Sequence, residues 1–147
     1  MNIRRNYKGF TLIELMIVVV IVGVLAAMAL GRYLTAATRV KQAEAKGILK
    51  QLYALERAYF QEYGTYWPSD GSTITADSTG GNRGNFSMLS IQIEIMDGAR
   101  YSYALAGGAT TFTLTATADG LDDDGVQDIW RIDNTGVIRC LSDDSQD

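Results

Sequence analysis

Residues 10–30 read FTLIELMIVVVIVGVLAAMAL, and this stretch decides the fold of the 147-residue chain. An α-helix of 21 residues is about 30 Å long, which matches the hydrocarbon thickness of a bilayer. Arg4, Arg5 and Lys8 come just before it, and such positive charges keep the flanking end of a helix in the cytoplasm. The pattern predicts a single membrane-spanning helix with a cytoplasmic N-terminus.

Glu14 lies inside this apolar stretch, where a carboxylate costs about 2.5–3.5 kcal/mol on insertion scales. Two ordinary interpretations are a secretory signal peptide, with Ala27-Met28-Ala29 as its cleavage site, and a plain membrane anchor. Neither explains the glutamate. A cut between Gly9 and Phe10 does explain it, because the new α-amine lies one helical turn from Glu14. That amine could pair with the carboxylate of the same subunit or of the next one.

The segment KGFTLIELMIV at residues 8–18 resembles the class III signal of type IV prepilins and pseudopilins. The resemblance implies that residues 1–9 are a basic leader, removed by a prepilin peptidase that cuts between Gly9 and Phe10 and methylates Phe10. It assigns Phe10 and Glu14 to assembly. It further implies an inner-membrane, single-pass precursor that polymerises with itself or with other pilins on an assembly platform driven by an ATPase.

The helix is expected to continue past the membrane stretch, with an assembly half at residues 10–31 and an amphipathic half at 32–63. Gly64 is a good C-terminal stop. Apolar residues recur on one helical face at spacings of three, four or eight: Tyr33, Ala37, Val40, Ile48, Leu52, Leu55, Tyr59 and Tyr63. Many members of the resembled family have proline at the position of Gly31. Whether the helix melts near Gly23 and Gly31 on assembly stays open.

Residues 64–147 are expected to form a globular head. A loop region at 64–100, with a short element at Phe86 to Ile95, precedes a sheet at 101–141 and an acidic tail. Alternating apolar residues predict four strands in meander order, at 101–105, 112–117, 129–133 and 137–141. The predicted fold is therefore α+β: a pilin fold in which one long N-terminal α-helix packs on a four-stranded antiparallel sheet.

An aspartate-rich turn at residues 122–128, DDDGVQD, is the candidate cofactor site. Closely spaced carboxylates around a glycine are the ligands that calcium prefers, and the turn resembles a calcium loop found in some secretion pseudopilins. Asp122, Asp124 and Asp128 are the expected metal ligands. The alternative is an acidic turn in contact with solvent, since the full twelve-residue EF-hand pattern is absent.

Cys140 is the only cysteine of the chain, so an intrachain disulfide is excluded. The head must then be stabilised by packing, by a metal ion or by neighbours in an assembly. Cys140 itself is expected to be buried in a strand, although pairing between chains is an alternative.

The expected function is that of a structural subunit of a type IV pilus, serving adhesion, motility or DNA uptake on the cell surface. The alternative is a pseudopilin of a type II secretion system, which shares the leader and the helix. An enzyme is not expected, because histidine is absent and neither a phosphate loop nor a nucleophile–base pair is present. The net charge of −4 gives no indication of a specific nucleic-acid partner.

Overall fold

The computed structural model describes residues 9–78, 86, 99–121 and 125–145. Within these described residues, one helix is followed by five strands: α1 (Leu12–Tyr63), β1 (Thr73–Ala76), β2 (Ser102–Ala106), β3 (Thr113–Asp119), β4 (Gln127–Asp133) and β5 (Arg139–Ser142). The chain separates into two compact units, Met1–Ala36 and Ala37–Asp147. A long N-terminal helix and an antiparallel sheet confirm the predicted α+β class.

The first unit is the apolar beginning of α1. Its backbone stays helical through Gly23 and Gly31, and Thr35 Oγ1 donates a hydrogen bond to the carbonyl of Gly31 at 3.2 Å. Its large apolar side chains, from Leu12 to Leu34, are exposed to the surroundings of the single chain. Among the described residues, α1 is the one helix that is long and apolar enough to cross a membrane.

The second unit contains the sheet, whose strands lie in the order β1-β2-β3-β4-β5. Each strand pairs antiparallel with the next, as in the predicted meander. Alternate residues point to opposite faces of a strand, and one face of the three central strands is buried: Tyr103, Leu105, Leu114, Ala116, Ala118, Asp128, Trp130 and Ile132. All of these side chains except Asp128 form one hydrophobic core with Leu49, Leu52 and Leu55 of α1.

Strand β1 is one strand more than the four predicted. Its residues Thr73–Ala76 pair with β2 in the register Thr73↔Ala106 to Ala76↔Tyr103. The segment falls in the predicted loop region, because residues 69–88 are rich in Ser, Thr, Gly, Asn and Asp and contain few large apolar residues. Ile74 and Ala76 nevertheless pack in or against the core. The antiparallel backbone pairing with β2 stabilises the strand further. The short element expected at residues 86–95 lies outside the described residues except for the buried Phe86.

The buried face of α1 differs from the predicted apolar face. Leu52 and Leu55 are buried as expected, but Tyr33, Val40 and Tyr63 are exposed. The buried positions of the helix are Thr38, Gln42, Ala45, Leu49, Leu52, Leu55 and Glu56. Three of these buried residues are polar. A pattern that counts only apolar residues misses them, so the predicted face was rotated about the helix axis from the face that contacts the sheet.

Cys140 is exposed, and the expectation of a buried thiol was wrong. Strand β5 lies at the edge of the sheet, and Arg139, Cys140 and Leu141 are all exposed. The core beneath the central strands does not extend under this last strand, so alternation no longer produces a buried face.

Candidate processing and assembly site

The start of α1 is closed by a reciprocal pair of hydrogen bonds between Thr11 and Glu14. The Thr11 N–H and hydroxyl donate to Glu14 Oε2 at 2.9 and 2.6 Å. The Glu14 N–H donates to Thr11 Oγ1 at 3.3 Å. This is a capping box, in which a threonine before the helix and a glutamate three residues later satisfy each other's free backbone N–H groups.

The predicted cleavage junction lies directly before this cap. Gly9 and Phe10 are both exposed and precede the first helical residue, and Phe10 is 84% exposed. A protease needs an accessible, non-helical peptide bond, and the bond between Gly9 and Phe10 meets both conditions. The cleavage itself and the methylation of Phe10 stay predictions.

The cap also determines what Glu14 can do chemically. Both hydrogen bonds from Thr11 reach Oε2, and among the described residues no donor reaches Oε1. The negative charge is thus partly satisfied within the chain, while one carboxylate oxygen remains available to a further donor. An amine created at Phe10 would be one residue from the capping threonine, and a donor from a neighbouring subunit could also reach it.

Thr11 was missed as a functional residue when only Phe10 and Glu14 were assigned to assembly. The signal was present in the sequence, because Thr11-Leu12-Ile13-Glu14 has the spacing of a capping box before an apolar run.

Two of the expected calcium ligands, Asp122 and Asp124, lie outside the described residues. The third, Asp128, is fully buried and accepts four hydrogen bonds from the protein. Gln42 Nε2 and the Asp144 N–H reach its Oδ1 at 2.9 and 3.1 Å. The Tyr101 hydroxyl and Trp130 Nε1 reach its Oδ2.

These donors use the lone pairs that a cation would need. The part of the chain that the structure describes contains no group of three histidine, cysteine or acidic side chains suited to a metal. Calcium binding in the aspartate-rich turn therefore stays a prediction, and Asp128 has a different role in the described structure.

Comparison with known proteins agrees with this site. The family described as the prokaryotic N-terminal methylation motif matches residues 4–30. The chain is 52% identical over 62 residues to the type IV major pilin PilA of Myxococcus xanthus, covering 42% of this chain and 28% of that protein. It is 38% identical over 79 residues to the type IV major pilin PilE of Neisseria gonorrhoeae, covering 54% and 47%.

A third relative is core protein G of the type II secretion system of Pseudomonas aeruginosa, 45% identical over 51 residues that cover 35% of this chain and 36% of that protein. The chain thus spans half or less of the length of these relatives. No solved structure matches it significantly. The expected prepilin-like signal at residues 8–18 is confirmed, since it falls within the matched motif.

Proposed function

We propose that this chain, which belongs with the type IV pilins by its N-terminal methylation motif, is a structural subunit of a type IV pilus. One observation carries the proposal. Three features follow one another directly along the chain: an exposed Gly9–Phe10 junction, a Thr11–Glu14 cap and an exposed apolar helix. A helix with all sides apolar needs either lipid or other helices around it, and a polymer of subunits supplies the second environment.

The proposed sequence of events follows from these parts. The precursor spans the inner membrane, with the capped Glu14 near its cytoplasmic end. A prepilin peptidase removes residues 1–9 and leaves a positive amine on Phe10. The assembly platform and its ATPase then transfer the subunit into the filament, where the apolar helices pack together and Glu14 pairs with an amine. The mature filament lies on the cell surface and serves adhesion, motility or DNA uptake.

The mature N-terminus tests the first step. We expect intact-mass and peptide mass spectrometry to find a chain that begins at N-methylated Phe10. Gly9→Val should leave the precursor uncut, because a β-branched residue replaces the glycine at the junction. A mature chain that starts at Leu30 would instead identify an ordinary signal peptide and contradict the proposal.

Glu14→Val tests the pairing step. The valine removes a carboxylate that costs about 2.5–3.5 kcal/mol in a membrane, so membrane insertion and processing should be unchanged. Sheared filaments should fall by about ten-fold or more, since an ion pair of the assembled core is lost and an amine is left unpaired. Thr11→Val, which removes only the hydroxyl of the cap, is the matched control and should reduce filaments far less. Normal filaments from Glu14→Val would refute the pairing.

A type II secretion pseudopilin is the second candidate, and its support is the similarity to core protein G of Pseudomonas aeruginosa. Electron microscopy of the cells distinguishes the two candidates. Long surface filaments at natural expression favour the pilus subunit, whereas a short periplasmic filament and a secretion defect on deletion favour the pseudopilin.

A further inference from the structure

The half of α1 that belongs to the second unit, from Ala37 to Tyr63, has two different faces. One face packs on the sheet, and the opposite face, called the outer face below, is largely exposed. Residues with short side chains recur along the outer face at spacings of three, four and seven: Val40, Ala43, Gly47, Ala54 and Ala58. Helices pack with their axes about 8–10 Å apart, depending on the side chains at the contact. Short side chains therefore allow a second helix to approach this face closely.

Gly47 lies in the middle of the outer face. Glycine inside a helix lowers the stability of the helix relative to alanine. A Cβ built at Gly47 has no atom of the described residues within 4 Å, so packing within the head does not require a glycine here. Gly136 shows the opposite case, because its Cβ would lie 2.8 Å from the Tyr53 hydroxyl oxygen. A close approach by the backbone of a neighbouring chain accounts for Gly47.

Basic residues form one border of the outer face, the basic border. They follow one another at spacings of seven, four and seven, which keeps them on one side of the helix: Arg39, Lys46, Lys50 and Arg57. None of them has an acidic residue three or four positions away, the separation at which side chains of a helix meet. The Lys46 amine lies 3.5 Å from the centroid of the Trp130 ring, and Arg57 Nη1 donates to the Tyr66 hydroxyl at 3.4 Å. Both of these partners are uncharged.

Two exposed acidic residues, Glu44 and Glu62, form the opposite border of the outer face, the acidic border. They are 18 residues apart, and so are Arg39 and Arg57. This separation makes about five helical turns and about 27 Å. Each acid follows its arginine by five positions, which places it about 140° further around the helix. An arginine and an acid of one chain therefore point to different sides.

The partners of the acidic border within the head leave its charge available. Lys41 lies three positions before Glu44, but its Nζ donates to the carbonyl of Leu121 at 2.8 Å. Glu62 is hydrogen-bonded to the Tyr63 hydroxyl, which is neutral. A cation from another chain can thus pair with either acid.

A single displacement of two parallel α1 helices brings both arginines opposite both acids. Subunits that leave one membrane in the same orientation have parallel helices. When the second copy is displaced by five residues, about 7.5 Å, its Glu44 is level with Arg39 of the first copy. Its Glu62 is then level with Arg57, because the two pairs have the same spacing. At an axial distance of about 8–10 Å, arginine and glutamate side chains on facing borders reach each other.

We propose that the outer face of α1 docks onto the outer face of a second, parallel copy of this chain, with Arg39 and Arg57 of one copy against Glu44 and Glu62 of the next. The inference rests on the proposed filament. Each subunit uses its basic border towards one neighbour and its acidic border towards another, and such a head-to-tail contact continues from subunit to subunit. Charge pairs of this kind determine the register of an interface.

Charge exchange in the full chain tests the docking. Glu44→Arg/Glu62→Arg should reduce sheared filaments by about ten-fold or more, because two basic borders then face each other. Adding Arg39→Glu/Arg57→Glu should return the yield to within about three-fold of wild type. Glu44→Asp/Glu62→Asp, the matched control, keeps both charges and should lose far less. A normal yield from the first variant, or a low yield from an exchanged chain whose head is folded by tryptophan fluorescence, would overturn the docking.

Carbodiimide coupling of intact filaments tests the register without reversing any charge. Arg39→Lys keeps the cation and supplies an amine that can form an amide bond with a carboxyl group in direct contact. Peptide mass spectrometry of the multimer bands should find position 39 linked to Glu44, and the link should be absent from the monomer band. Adding Glu44→Gln should remove the link. Filaments of Arg39→Lys without this link would overturn the docking and leave the pilus proposal intact, whereas a wild-type chain that forms no filament contradicts both.

Discussion

Replacing Asp128 by alanine is expected to lower the free energy of unfolding of the second unit by about 3–5 kcal/mol. The carboxylate is fully buried and accepts four hydrogen bonds, from Gln42, Tyr101, Trp130 and Asp144. An alanine leaves the Tyr101, Trp130 and Asp144 donors without this acceptor, while Gln42 Nε2 keeps its bond to Asp143 Oδ1 at 2.8 Å. Each unsatisfied buried polar group costs about 1–3 kcal/mol. Small domains are stable by only about 5–15 kcal/mol, so this single change should come close to unfolding the head.

Urea unfolding of the full chain in detergent, followed by tryptophan fluorescence, measures this loss. Both tryptophans, Trp67 and Trp130, belong to the core of the second unit, so the signal reports on the head. Asp119→Ala is the matched control: Asp119 is also an aspartate of the sheet and accepts a hydrogen bond from Gln127, but it is exposed. Its loss should cost about 0.5–1 kcal/mol. Equal losses for the two variants would contradict the role given to Asp128.

A double-mutant cycle with Tyr101→Phe makes the test sharper. Removal of the tyrosine hydroxyl should destabilise the wild-type head and have a much smaller effect once Asp128 is already alanine, because the two groups share one hydrogen bond. Additive losses would mean that Asp128→Ala acts through a general packing defect.

The position of Asp128 explains how a head without an intrachain disulfide holds its C-terminal segment. Asp128 belongs to β4, Gln42 to α1 and Tyr101 directly precedes β2. The C-terminal segment adds the Asp144 N–H, and the Asp144 carboxylate in turn accepts the Leu121 N–H at 2.7 Å. One buried carboxylate thus joins the helix, the sheet and the C-terminal segment. A disulfide would join only two points of the chain.

The contacts between Gln42 and the C-terminal segment also show where prediction from the sequence ended. The long helix, the meander and the prepilin-like signal at residues 8–18 were predictable, because periodicity, a basic flank and a lone glutamate in an apolar run are local signals. Gln42 bonds Asp128, 86 positions away, and no local pattern reports such a partner. A buried polar residue on a helix looks the same in sequence as an exposed one, so the contact face of α1 was misplaced.

Glu56 is a second buried carboxylate that the sequence did not reveal, and its surroundings differ from those of Asp128. It is fully buried on α1, and its Oε2 accepts the backbone N–H of Trp67 at 3.0 Å. Its other oxygen, Oε1, has no hydrogen-bond partner among the described residues. Burial raises the pKa of Glu56 to about 7, although the Trp67 hydrogen bond opposes the shift. A buried acid without a cation favours its protonated form.

The sign of the resulting pH dependence follows from linkage. The folded state holds the Glu56 proton up to about pH 7, whereas the unfolded chain releases it near its ordinary value of 4.5. Stability from this group is therefore complete below pH 4.5 and is lost as the pH rises through 7. At about 1.36 kcal/mol for each pKa unit, the loss amounts to about 3 kcal/mol by pH 8.

Glu56→Gln should remove this dependence while it keeps an oxygen for the Trp67 N–H. The difference in free energy of unfolding between Glu56→Gln and the wild-type chain should shift by about 3 kcal/mol in favour of the variant between pH 4.5 and 8. Glu62→Gln, at an exposed glutamate of the same helix, is the matched control for the glutamate-to-glutamine change itself. Any effect of the new amide group on the free energy of unfolding that does not depend on pH cancels, because only the change with pH is compared. A difference for Glu56→Gln that does not change with pH would mean that Glu56 is ionised in the folded head.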